Sequence, residues 1–157
     1  MYGNVIAGLR SKMANPKSIL QIAISRVSPK DEPEEREESG IVELIERVFT
    51  TRNLVHFAHW GTKSYASHMA LGELYDAIVE QVDDIVETYQ GEFGLLEGLC
   101  TEKAEATEDI LSVIKGDADW LKANRSQIAN GSKPIENELD TLTGCYNKII
   151  YKLTNLK

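Results

Sequence analysis

The amino-acid sequence predicts an all-α fold, a four-helix bundle carrying an extra N-terminal helix. Three observations lead there. Apolar residues recur at three- and four-residue spacing through four long segments. No segment sustains the two-residue alternation of a half-buried strand. The interruptions fall where helix-breaking residues cluster: Gly61, Gly91 to Gly98, and Asn130 to Pro134.

Taken in order, Asn15-Pro16 is a helix start, Asn as cap and Pro at the first helical position. KSILQIAISRV follows with Ile19, Leu20, Ala23 and Val27 at helical spacing, and Ser28-Pro29 ends it. Residues 31–38, DEPEEREE, hold six acids and no apolar side chain to bury, which reads as a linker. The division is therefore 1–38, a basic arm with a short helix and an acidic linker, and 39–157, the bundle.

In the bundle, Ile41, Leu44, Ile45, Val48 and Val55 describe a helix running to Trp60, stopped by Gly61. Leu71, Tyr75, Ile78, Val82, Ile85 and Tyr89 form the seam of a second, widened by Leu74, Val79 and Val86. A third is expected from about Thr101, with Ile110, Leu111 and Ile114 inward, a break near Gly116-Asp117, then Trp120 and Leu121. The last carries Ile135, Leu139, Leu142, Tyr146, Ile149 or Ile150, and Leu153.

Composition narrows the function classes. Net charge is −8, which disfavours a dedicated nucleic-acid binder, because phosphate neutralisation needs clustered Lys and Arg. The charge is uneven, however: residues 1–30 hold Arg10, Lys12, Lys17, Arg26 and Lys30 and no acid, leaving −13 on the rest. That arm is either a tether to nucleic acid or an acidic partner, or a solvated terminus. No apolar run reaches the roughly 18 residues of a membrane span, and the opening residues reverse the order of a secretory signal. Cys100 and Cys145, without CxxC spacing, are expected as buried reduced thiols. No glycine-rich phosphate loop and no GxSxG is present.

The chemistry-bearing stretch is HFAHWGTKSYASH, residues 56–68, which holds every histidine of the chain. His56 and His59 share a face of the first long helix, and His68 begins the second. Counting about 100° per residue from His68, Asp83, Asp76, Glu87 and Glu80 fall between roughly +60° and +120°, away from the seam. An acidic stripe so placed is a solvated face, or a set of metal ligands once a neighbouring helix or second subunit closes over it. Imidazole with carboxylate suits iron, manganese or zinc.

HWGTKSYASH followed by MALGELYDAIVEQVDDIVETYQG resembles the first-helix end and second helix of the starvation-induced miniferritins, the Dps family. Their pattern is His-Trp, a loop, a second His, then Asp-x-x-x-Glu, matched here by His59-Trp60, His68, Asp83 and Glu87. The resemblance implies a ferritin-like four-helix bundle and a homo-oligomer. It also implies iron at a ferroxidase centre shared between subunits, with His59, His68, Asp83 and Glu87 as ligands and His56 and Asp76 as secondary candidates. Two departures stand out: the loop is three residues shorter, and Gly72 occupies the position of the family's Asp one turn after the second His. The segments KSYASHMALGELYDAIVEQVDDIVETYQG and IENELDTLTGCYNKIIYKLTNL also resemble uncharacterised ferritin-like proteins of tailed phages. Together the resemblances span about residues 41–157. They imply a phage-encoded protein of the host cytoplasm or virion, neither secreted nor in the membrane. It is either a degenerate metal binder or a non-enzymatic virion or host-interaction protein that kept the bundle.

Overall fold

The computed structural model describes residues 38–101 and 103–156. The basic arm, the helix expected after Asn15-Pro16 and all but the last residue of the acidic linker lie outside the described residues. That last residue, Glu38, opens the first helix instead of ending the linker. The four helices are α1 (Glu38–Gly61), α2 (Tyr65–Phe93), α3 (Ile110–Ala129) and α4 (Lys133–Asn155). Among the described residues there is no strand, and no helix is long and apolar enough to cross a membrane.

Each helix exists because one face is apolar at helical spacing. Ile41, Leu44, Ile45, Val48 and Val55 of α1 are buried, as are Leu71, Leu74, Ile78, Val82, Ile85 and Tyr89 of α2. Ile114, Ala118, Leu121 and Ile128 of α3 and Ile135, Leu139, Leu142, Tyr146 and Ile149 of α4 complete the core. Caps set the starts. Ser64 Oγ accepts from Ser67 N at 3.2 Å, Asp109 from Ser112 N at 3.1 Å and Ser132 from Ile135 N at 3.4 Å.

Side-chain links give the register. Thr88 donates to Glu138, Ser132 to Glu92 and Lys152 to Glu73, so α2 and α4 run antiparallel. Asp117 meets Thr51 and Gly40 faces Ile128, so α1 and α3 are antiparallel too. It follows that α2 and α3 point the same way, and residues 94–109 must cross the length of the bundle between them. They do so beside α1: Leu99, Cys100 and Thr101 share a groove with Ile45 and Phe49. Further on, Ala106 to Asp109 line another with Phe57, Ala58 and Gly61.

Here the expected third helix is corrected. It starts at Ile110, not near Thr101, because Thr101 to Asp109 offers only two alanines to an apolar stripe and Asp109 is the cap. It also runs unbroken through Gly116-Asp117. Gly116 is on the exposed side, and burial of Ile114, Ala118 and Leu121 outweighs its cost of about 1 kcal/mol. Tyr75, expected in the seam, is only half-buried; Leu74 fills the core in its place. Cys100, expected buried, is exposed on the crossover, while Cys145 is half-buried.

Candidate functional site: the histidine corner

The last turns of α1 and the first of α2 bring all three histidines together. The imidazoles of His59 and His68 stack, centroids 3.7 Å apart and planes inclined by 24°. Each Nδ1–H donates to the other residue's main-chain carbonyl, at 2.8 Å from His59 and 3.1 Å from His68. The bonds select one tautomer in each neutral ring, hydrogen on Nδ1 and a lone pair on Nε2. The His59 carbonyl belongs to the last turn of α1, whose carbonyls lack helical partners, so His68 caps one helix while His59 pins the next. This is a reciprocal clasp across a three-residue loop.

Around it the rings continue. His56 stacks on Tyr75 at 4.1 Å and lies 4.1 Å from Trp60, and Tyr75 meets His59 edge-on at 5.3 Å. Burial among these rings, then the nearby Arg52 guanidinium and His59, lowers the pKa of His56, with Asp76 acting the other way. Gly72 completes the corner. A Cβ there would stand 3.3 Å from Cε1 and 3.5 Å from Nδ1 of His59. A side chain at 72 would press on the imidazole, which would have to give by a few tenths of an ångström.

The predicted ligands divide accordingly. His59 and His68 are brought together, and Asp76 lines the same groove of about 720 Å³ with Gly72, Glu73 and Lys152. His56 lies one turn back. Asp83 and Glu87 are exposed on α2 and, at 1.5 Å per residue, lie roughly 22 and 28 Å along the helix from His68. Among the described residues of one chain, no three His, Cys, Asp or Glu side chains are grouped to hold an ion. Nor do the stacked rings suit one ion. A metal lies in the plane of its imidazole about 2 Å from the nitrogen, and in nearly parallel stacked planes it would sit well off the second ring. The residues of a single chain in this arrangement do not fit a ferroxidase centre.

Sequence reading missed the second polar cluster, at the α1–α3 seam. Asp117 is buried, accepts a hydrogen bond from Thr51 Oγ1 and meets Arg47 Nη1 at 3.4 Å. Desolvation raises its pKa, against the opposing effects of Thr51 and Arg47. The signal was present: Asp117 falls three residues after Ile114 and four before Leu121, on the apolar stripe itself.

Fold and corner together define a class: an all-helical four-helix bundle with one long crossover and a histidine clasp joining its first hairpin. The chain belongs to the family of unknown function DUF5856, whose model matches residues 59–153. The matched region begins at His59 and takes in the clasp, the crossover, α3 and most of α4. No curated protein and no solved structure matches the chain.

Proposed function

We propose that the chain is a ferritin-like, phage-encoded helical protein that acts as an assembly module in the host cytoplasm or virion. In this reading the histidine corner is a structural clasp and not a ferroxidase centre. The ferritin-like part is supported by topology, since one long crossover linking two antiparallel hairpins is the connection of ferritin-like bundles. The phage origin rests on the sequence resemblance alone. The non-enzymatic part is carried by one observation: His59 lies against Gly72, where the miniferritin pattern has a carboxylate, with its ring committed to His68.

The assembly surface is the same end of the bundle. Trp60, Tyr65 and Met69, at the end of α1 and the start of α2, are exposed by 67%, 78% and 54%. A second copy of the chain is the partner this reading assigns to it. Light scattering, metal analysis and an iron-oxidation assay on the purified protein test both parts. A discrete homo-oligomer that Trp60→Glu dissociates, with oxidation at background, is expected. Stoichiometric iron and oxidation above background would overturn the non-enzymatic reading, and a monomer would overturn the assembly.

A second reading, iron bound between copies, is favoured by one feature. Both imidazoles keep an Nε2 lone pair, and Asp83 and Glu87 are exposed and in no ion pair among the described residues. It requires the His59–His68 stack to part.

A further inference from the structure

We propose that Asp117, Thr51 and Arg47 form a proton-released latch across the groove between α1 and α3. The groove, of about 670 Å³, is lined by Val42, Glu43, Glu46, Thr50 and Leu54 of α1 and by Val113 of α3, with Asp117 in its wall. Arg47 connects its two sides. The guanidinium reaches Asp117 at 3.4 Å, is held by Glu43 at 2.9 Å, and lies 4.6 Å over the ring of Trp120.

The charges facing Asp117 can be named element by element, since α3 packs against α1 and α4. From α1 come Arg47, with Glu43 beyond it and Glu46 lining the same groove, and the Thr51 hydroxyl. From α4 comes Tyr146, wholly buried, whose phenol burial pushes far up, with Asp117 adding to the effect, so it stays neutral. Among the described residues, Arg47 is thus the cation that reaches the buried carboxylate, through a long contact at 3.4 Å.

Ionised, Asp117 pulls the guanidinium inward over Trp120. Protonated, it keeps the Thr51 hydroxyl as a partner and loses its attraction for Arg47. The guanidinium then stays with Glu43 on the solvent side, and the mouth of the groove is freed while the helices remain packed. Burial disfavours the charged carboxylate and so raises the pH of the change from the ordinary carboxyl value, against the opposing effects of Thr51 and Arg47.

Trp120 reports the event directly. The chain has two tryptophans, so a Trp60→Phe background leaves Trp120 alone. Its emission is followed against pH, with far-ultraviolet circular dichroism in parallel. A fluorescence transition whose midpoint is raised from the ordinary value of a carboxyl, with an unchanged helical signal, is expected. Asp117→Asn abolishes that transition. Thr51→Val moves its midpoint higher, because the hydroxyl donates to the charged form. A transition that persists in Asp117→Asn, or one that coincides with loss of helix, overturns the latch.

Discussion

Substituting Gly72 by alanine tests the clasp, because two effects of similar size oppose each other there. Glycine inside a helix costs roughly 0.5–1 kcal/mol relative to alanine, so Gly72→Ala gains about that much from the backbone. Against it, the new Cβ meets His59 Cε1 at 3.3 Å, a contact that forces one side to yield by a few tenths of an ångström. His59 has little room to give. Its ring is stacked on His68 at 3.7 Å, and its Nδ1 is bonded to the His68 carbonyl at 2.8 Å. Weakening that bond and stack costs on the order of 1 kcal/mol. The expected net change is therefore within about 0.5 kcal/mol of zero in the wild-type background. In a His59→Ala background nothing opposes the new methyl, and the same substitution should stabilise by about 1 kcal/mol. Urea denaturation followed by circular dichroism on the four proteins of this cycle gives a coupling energy of roughly 0.5–1.5 kcal/mol. Equal stabilisation in both backgrounds would refute the reasoning, because His59 would then not occupy the space over Gly72.

Three further outcomes follow from the packing and charge. Asp117→Asn should be more stable than wild type near neutral pH. Burial raises the folded pKa above the unfolded one, so the penalty on the charged form is complete above the folded value and fades as pH falls through it. The advantage should disappear on acidification, which denaturation curves at several pH values would check. Arg125 binds both oxygens of Asp140, at 2.6 and 2.7 Å, and its bond holds that carboxyl below its usual range. Asp140 then contributes stability above its unfolded pKa that is lost as pH falls through the folded one. Arg125→Lys, without the bidentate fork, should lower the melting temperature at neutral pH, and the difference should narrow in acid, where the bond of Arg125 to the Glu136 main-chain carbonyl is all that remains. Leu139→Ala, at a core position exposed by 1%, should cost about 2–5 kcal/mol in urea denaturation with helical content unchanged.

The elements legible in the sequence were those whose evidence is periodic. α1 and α4 follow their apolar stripes, and their ends coincide with Gly61 and with the cap at Ser132. Two errors in α3 share a cause. The stretch from Thr101 to Asp109 has helix-forming residues but no stripe, and tertiary burial decides helices of this length more than propensity does. Gly116-Asp117 has the composition of a break, yet Asp117 lies on the buried stripe, where Thr51 satisfies it from another helix. No local pattern reveals a partner 66 residues away. Seam membership had the same limit. Leu74 and Tyr75 adjoin, and the phenol is drawn to the corner because His56 offers a ring to stack on. Of the candidate site, spacing announced that His59 and His68 flank one loop. Their stacking depended on side-chain directions that spacing does not carry.

Gly72 links the departure from the miniferritin pattern to the geometry of the corner. In the sequence it stands where the miniferritin pattern has a carboxylate, a departure that leaves the other candidate ligands unchanged. In the structure the same glycine gives His59 room to lie flat on His68 and reach its carbonyl. A side chain at 72 presses on the space this stack uses, so a carboxylate there would have to shift His59 from its place in the clasp. The clasp then compensates locally for what the glycine removes. Glycine weakens the first turns of α2, and the bond from His59 ties that weakened stretch to the end of α1. His68, in return, satisfies a carbonyl that the end of α1 would otherwise leave to solvent. Under the proposed reading, this joint between helices suits a bundle end that meets another copy more than a centre that turns over iron.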